Sequence, residues 1–213
     1  MVEETKGEEE TQPKKTYASL HTEKSDINEH LPTLMELAKE CQTVLECGVR
    51  GVVSSYAFAE GLFQSNEENV KLYLNDINAC NIEDLRELYE EDVEFIECWQ
   101  NDLTLDIEAD MIFIDTFHIY EHLRRELKHF KDKAKKYIVL HDTEVDGLSG
   151  ESVRMKETMY DVLYYCQEVY GCEINDIQKG LRPAIDEFLM ANKEWVLHKH
   201  YENNNGLTIL KRV

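Results

Sequence analysis

The sequence predicts an α/β fold: a doubly wound, mostly parallel sheet of seven strands that ends in an antiparallel hairpin. Three observations carry this. Short apolar runs alternate with stretches of helical periodicity along most of the chain. Several of those runs are apolar without a break, as strands covered on both faces are. Two further strand-like runs flank Asn203-Asn204-Asn205-Gly206, a hairpin turn signal. The 213 residues suffice for one domain with a sizeable core.

Taken in order, residues 1–16 read as a disordered, solvated arm, with Glu8-Glu9-Glu10 and Lys14-Lys15 as charge clusters and no apolar segment of a secretory signal. Residues 17–213 form the domain. Pro32 suits the first turn of a helix, and Leu34, Leu37, Ala38 and Cys41 make its apolar stripe. Val44-Leu45-Glu46-Cys47 is a strand that enters the turn Gly48-Val49-Arg50-Gly51. Val53, Tyr56, Ala57, Glu60 and Phe63 then recur at helical spacing. Val70, Leu72 and Leu74 alternate with polar residues in a second strand that runs into Asp76. Asn81 caps a helix carrying Ile82, Leu85 and Leu88 or Tyr89. Val93–Cys98 is the third strand, followed by Gln100-Asn101-Asp102. Met111–Ile114 is the fourth and ends at Asp115. A helix marked by Tyr120, Leu123, Leu127 and Phe130 leads to the fifth strand, Tyr137–Leu140, which ends at His141-Asp142.

Residues 146–180 break the rhythm. Gly147, Ser149 and Gly150 predict a mobile loop, and Met155–Tyr170 predicts a helix. The segment reads as an insertion or lid over the strand ends, with an extra packing helix as the alternative. A helix over Arg182–Ala191 and the strands Trp195–Tyr201 and Leu207–Leu210 complete the chain.

Net charge is −21, and the first fifteen residues carry five Glu and three Lys, so nearly all of it belongs to the folded part. Such a field repels phosphate backbones and argues against a nucleic-acid partner. No apolar run reaches bilayer-spanning length, so no membrane association is expected. The six cysteines show no C-x-x-C spacing. Without an export signal they read as free thiols in a reducing, cytoplasmic setting.

Strand, glycine turn and helix together let backbone approach a nucleotide-like ligand, because Gly48 and Gly51 lack a Cβ. An ordinary tight turn is the competing reading. Glu46, Asp76, Asp115 and Asp142 stand at four strand ends and Asn101-Asp102 follows the other, so these groups should converge on one crevice. Taken singly, each acid could instead cap a helix. Asp76, after the second strand, suits ribose hydroxyls. His118-Ile119-Tyr120-Glu121-His122 also matches H-x-x-E-H, a zinc-peptidase signature that needs both histidines on one helical face and a third ligand further on.

Val44–Ser55, Leu74-Asn75-Asp76, Val139-Leu140-His141-Asp142, Gly180–Ile185 and the Asn-Gly-Leu-Thr hairpin resemble class I S-adenosylmethionine-dependent methyltransferases, a Rossmann-like fold. The block Asp110-Met111-Ile112-Phe113-Ile114-Asp115-Thr116-Phe117-His118-Ile119-Tyr120-Glu121 is the most specific part. The nearest branch holds cephalosporin-hydroxylase-like and sugar O-methyltransferases, and similar domains occur among glycan-modifying proteins of large DNA viruses. The resemblance spans roughly residues 25–213. It implies that Glu46, Gly48 and Gly51 line the methionine part of S-adenosylmethionine, with Arg50 and Ser54 also binding the cofactor, that Asp76 holds the ribose, and that Asn101 or Asp102 lies near adenine. It places Asp115 by the sulfonium, makes His118 the catalytic base, and gives Asp115 and Asp142 to a divalent ion, Mg2+. Three features depart from the branch: Thr116 replaces a glycine, the Glu46–Asp76 gap is long, and Thr143 follows Asp142 where a further metal ligand is usual. The activity implied is methylation of a hydroxyl on a small molecule or glycan, a sugar foremost. A non-catalytic nucleotide- or partner-binding module is the alternative.

Overall fold

The computed structural model describes residues 14–213; most of the expected arm, residues 1–13, lies outside the described residues. Seven strands form one sheet: β1 (Thr43–Cys47), β2 (Lys71–Asn75), β3 (Glu94–Glu97), β4 (Ala109–Ile114), β5 (Ala134–His141), β6 (Trp195–Tyr201) and β7 (Leu207–Arg212), in the order β3-β2-β1-β4-β5-β7-β6. The first five run parallel, and β7 is antiparallel to both β5 and β6. The winding reverses between neighbouring β1 and β4, which makes the carboxyl ends of those strands the natural crevice of the fold.

Period-two alternation explains the unbroken apolar runs. Val44, Leu72, Leu74, Met111, Phe113 and Val139 pack on one face of the sheet, while Leu45, Cys47, Ile112, Ile114, Ile138 and Leu140 pack on the other. The first face is covered by α1 (Tyr17–Thr22), α2 (Leu31–Lys39), α3 (Val53–Phe63) and α4 (Glu83–Tyr89). The second is covered by α5 (Tyr120–Phe130) and α9 (Leu181–Ala191).

The insertion differs from the single helix expected over Met155–Tyr170. It is α6 (Glu151–Arg154), then α7 (Met159–Tyr164) continuing into a π-helical turn (Tyr165–Val169), then α8 (Ile174–Gln178). Lys156 has a left-handed backbone, φ 56°, which stops the first helix. Thr158 and Asp161 then form a capping box that starts the second. Among the described residues no helix is long and apolar enough to cross a membrane.

Helices α2 and α3 approach closely at Gly61. A Cβ there would lie 2.3 Å from the Met35 carbonyl oxygen and 2.7 Å from the Ala38 Cβ. Gly61→Ala should therefore force the two helices apart and destabilise the fold by about 1–3 kcal/mol, read as a lower denaturant midpoint with unchanged far-ultraviolet dichroism. An unshifted midpoint would show that this seam yields freely.

Candidate functional site

The crevice is built on the turn after β1. Gly48 adopts φ +96°, and a Cβ on it would stand 1.9 Å from the Asp115 carbonyl oxygen. Its N–H donates to the Asn75 carbonyl (2.8 Å), and the Asp115 N–H donates to the Cys47 carbonyl (2.8 Å). Glycine is thus required by the seating of β1 against β4, a packing reason in addition to any ligand. Gly51 is different: a Cβ there would meet only the Val53 Cγ2, at an ordinary van der Waals distance of 3.7 Å, so the protein itself leaves room for one. Between and after them Arg50 (φ 37°) and Val52 (φ 59°) hold left-handed backbones, costly for L residues and for a β-branched one above all. Trp99 (φ 33°) after β3 and Asp142 (φ 57°) after β5 share this strain. Strained residues gathered at strand ends mark functional sites.

Asp76 lies beside the turn. Its carboxylate accepts the N–H groups of Arg50 (3.0 Å) and Asn78 (3.1 Å). Two other residues expected to line the cofactor do not reach the crevice. Glu46 is fully buried, and its carboxyl is bonded by the hydroxyls of Ser54 and Ser55 (2.6 Å to Ser55). The reason is register: Glu46 is the next-to-last residue of β1, so its side chain projects from the sheet face under α3, whereas Asp76, Asp115 and Asp142 each follow the last residue of a strand. Glu46 and Ser54 therefore join strand to helix. Burial pushes the Glu46 carboxyl up to about 8 against the serine hydrogen bonds.

Asp115 and Asp142 meet across the ends of β4 and β5, with His118 between them. His118 Nε2 is 3.0 Å from Asp115 Oδ1, and Nδ1 is 3.2 Å from Asp142 Oδ2. Asp146 and Glu151 carboxylates stand 3.6 and 3.5 Å from the same Nδ1. Burial alone would depress the His118 pKa, but bonds to Asp115 and Glu151 outweigh it and raise it well above the usual imidazole range. His141 is raised likewise, burial being overcome by Asp115. Burial would raise Asp115, but His118 and His141 hold it far below the usual carboxylate value. Carboxylates and imidazoles in this cluster thus each favour the charged form of the other. His118 Nδ1 and Asp142 Oδ1 are nevertheless buried without an aligned hydrogen-bond partner, as an unfilled ligand site would leave them.

The start of the insertion seals this cluster, which sequence reading took for mobile loop. Arg154 grips Asp146 through Nε and Nη2 (both 2.7 Å). His118 and Glu151 bond reciprocally: the Glu151 N–H reaches the His118 carbonyl (2.8 Å), and the His118 N–H reaches Glu151 Oε2 (3.2 Å). Asp146, Glu151 and Arg154 were missed because Gly147, Ser149 and Gly150 dominate the local pattern. The available signal was the three-residue spacing of Glu151 and Arg154.

Asn101 and Asp102 divide. Asn101 caps a short turn, its side chain accepting the Leu103 N–H (2.9 Å). Asp102 turns inward to His122 and Glu126 of α5, because that turn tucks it under the helix. Burial and the Asp102 charge raise Glu126. The H-x-x-E-H reading fails for the same region: His118 precedes α5, whose cap Ile119 is extended, so His118 and His122 belong to different clusters. Glu121 is engaged by Arg124 and Arg125.

Solved structures share this arrangement of strands and helices. The O-methyltransferase TomG from Streptomyces achromogenes, involved in tomaymycin synthesis and in complex with SAM, is 16% identical with a TM-score of 0.59, over 92% of this chain and 87% of that one. The chain has a methyltransferase fold. Magnesium protoporphyrin IX methyltransferase from Synechocystis, with bound SAH, matches over 92% of each chain at 11% identity and TM-score 0.56. An SAH-bound methyltransferase from Podospora anserina matches over 92% of this chain and 86% of its own at 17% identity and TM-score 0.52. No protein-family model and no curated protein matches the chain. Within this methyltransferase fold, the glycine turn and the Asp115–His118–Asp142 cluster occupy the crevice where the winding reverses.

The raised Glu46 pKa has a definite sign. A carboxyl whose folded value exceeds its unfolded one adds stability that is complete below about 4.5 and is lost as pH climbs through about 8. Glu46→Gln should remove that dependence, worth on the order of a few kcal/mol. Urea unfolding at pH 5 and pH 8 should show a smaller difference in the variant than in the parent chain. An equal difference would mean that Glu46 is ionised in the fold.

Proposed function

We propose that this chain binds S-adenosylmethionine at the β1 turn and transfers its methyl group to a hydroxyl oxygen of a small, uncharged acceptor, a sugar or glycan foremost. The observation that carries the reading is the contact of Gly48 with the Asp115 backbone. It brings a glycine turn open at Gly51 to the edge of a buried imidazole–carboxylate cluster. Asp76 lies where ribose hydroxyls can donate to it. The acids around His118 suit an acceptor rich in hydroxyl donors and repel phosphates and carboxylates. The SAM and SAH named for the solved neighbours support the choice of ligand.

S-adenosylmethionine would supply a methyl group on a sulfonium; the new carbon–oxygen bond forms as the carbon–sulfur bond breaks, and sulfur keeps the electron pair. The protein must align the acceptor oxygen and take its proton. His118 is the base. Its surroundings favour the protonated ring, so it is ready to accept the acceptor's proton only where pH has first removed its own. Turnover should therefore rise with pH along a limb above the ordinary imidazole range. Asp115 and Asp142 stabilise the imidazolium once formed.

A second reading rests on the unpartnered His118 Nδ1 and Asp142 Oδ1. Asp115, His118 and Asp142 each offer a ligand atom, all within 4.8 Å of one another, and so fit a divalent ion. Such an ion would lower the pKa of the acceptor hydroxyl.

Two outcomes test these readings. Calorimetry should show SAH binding to the parent chain and at least about tenfold weaker binding to Gly51→Val, whose added Cβ the protein itself accommodates. Absence of binding to the folded parent chain would overturn the proposal. With an acceptor found by screening sugars for SAH release, His118→Gln should lower kcat about 10²–10⁴-fold, leave SAH affinity nearly unchanged and abolish the acidic limb. Full turnover after exhaustive chelation excludes an essential ion and leaves His118 as the base.

A further inference from the structure

Among the described residues a second group of metal-capable side chains lies apart from the crevice: Asp102, His122 and Glu126, all buried. His122 and Glu126 stand four residues apart on α5 and so share a face. Asp102 comes from the turn before β4. His122 Nε2 is 3.5 Å from Asp102 Oδ2 and 3.5 Å from Glu126 Oε1. Asp102 is only 7% exposed, and its Oδ2 has no hydrogen-bond partner although it faces the other two groups. A buried carboxylate oxygen without an aligned donor is costly, and here it faces the His122 imidazole and the Glu126 carboxyl.

We propose that Asp102, His122 and Glu126 bind a zinc ion that anchors the insertion to α5. Zinc takes nitrogen and carboxylate oxygen at about 2.0–2.2 Å in tetrahedral geometry, which sets neighbouring ligand atoms about 3.3 Å apart. The 3.5 Å separations of His122 Nε2 from the two carboxylate oxygens match that spacing. Two carboxylates balance the ion's charge, and the imidazole favours zinc over magnesium.

The outer partners are also in place. Tyr170 Oη lies 2.8 Å from His122 Nδ1, the ring nitrogen away from the carboxylates. Thr116 Oγ1 donates to Glu126 Oε1 (2.6 Å). Partners of this kind orient ligands and typically change metal affinity 10–100-fold. Tyr170 belongs to the insertion, and its ring lies under Arg125, 5.2 Å from the guanidinium carbon. The ion would thus tie α5 to the root of the segment that seals the crevice, and through Thr116 to the loop carrying His118.

The test uses the full chain carrying Asp142→Asn, so that the strand-end cluster is incomplete. After chelation and dialysis it should take up one zinc per chain by calorimetry. Cobalt in its place should show the strong visible absorption of a tetrahedral site. Adding His122→Gln should abolish uptake, and adding Tyr170→Phe should weaken it about 10–100-fold even if His122→Gln fails to fold. Zinc should slow amide exchange over residues 165–172 in the chain with Tyr170 intact. No zinc uptake by Asp142→Asn, or uptake unchanged by both His122→Gln and Tyr170→Phe, would overturn the proposal.

Discussion

The seam between β1 and β4 governs the rest of the site. Gly48 has no side chain, and the space a Cβ would need is filled by the Asp115 backbone. With that seam closed, the Cys47 carbonyl takes the Asp115 N–H, and the first residues beyond two neighbouring parallel strands come within reach of one another. A larger residue at Gly48 would separate the turn from the loop that carries Asp115 and His118. The strained backbones at Arg50 and Val52 follow from the same seam: the chain must climb off β1 and enter α3 within five residues, and only unusual dihedral angles allow it. Glu46, locked to Ser54 and Ser55, holds that helix against its strand and stabilises the strained path between them.

Charge is the second constraint. A chain at −21 nevertheless gathers Asp115, Asp142, Asp146 and Glu151 around one ring. Such a grouping is stable only with compensating cations, and His118, His141 and Arg154 provide them. The neighbouring carboxylates raise the pKa of both imidazoles against the effect of burial, so their titration belongs to the cluster as a whole.

The sheet was legible because buried parallel strands leave an unmistakable mark, unbroken apolar runs such as Met111–Ile114, and because each ended at a polar residue. Strand order was not written in any run, because an apolar run does not say which neighbour it pairs with. In the site, Asp76, Asp115, His118 and Asp142 were legible as residues at or just beyond strand ends. Glu46 misled because one position of register separates a residue at the mouth of the crevice from one buried in the face of the sheet. Asp102 misled for a related reason: a three-residue turn reversed its direction, and short turns carry little periodicity. The insertion was least legible. Its glycines predict mobility, but Gly147, Gly150 and Gly180 are where backbone packs against backbone, each leaving less than 3 Å between a Cβ and a neighbouring carbonyl oxygen.

The segment from Asp115 to Glu126 links these parts. Within twelve residues it contributes Asp115 and His118 to the strand-end cluster, then Thr116, His122 and Glu126 to the buried one. Because Thr116 bonds Glu126 while Asp115 bonds His118, the loop is held from both sides and has little freedom to relax toward either. The insertion touches both clusters as well, through Glu151 at the first and Tyr170 at the second. The surroundings of His118 and of His122 are therefore set in part by one segment, and the two clusters are joined through it as well as through the Asp115–Glu126 stretch.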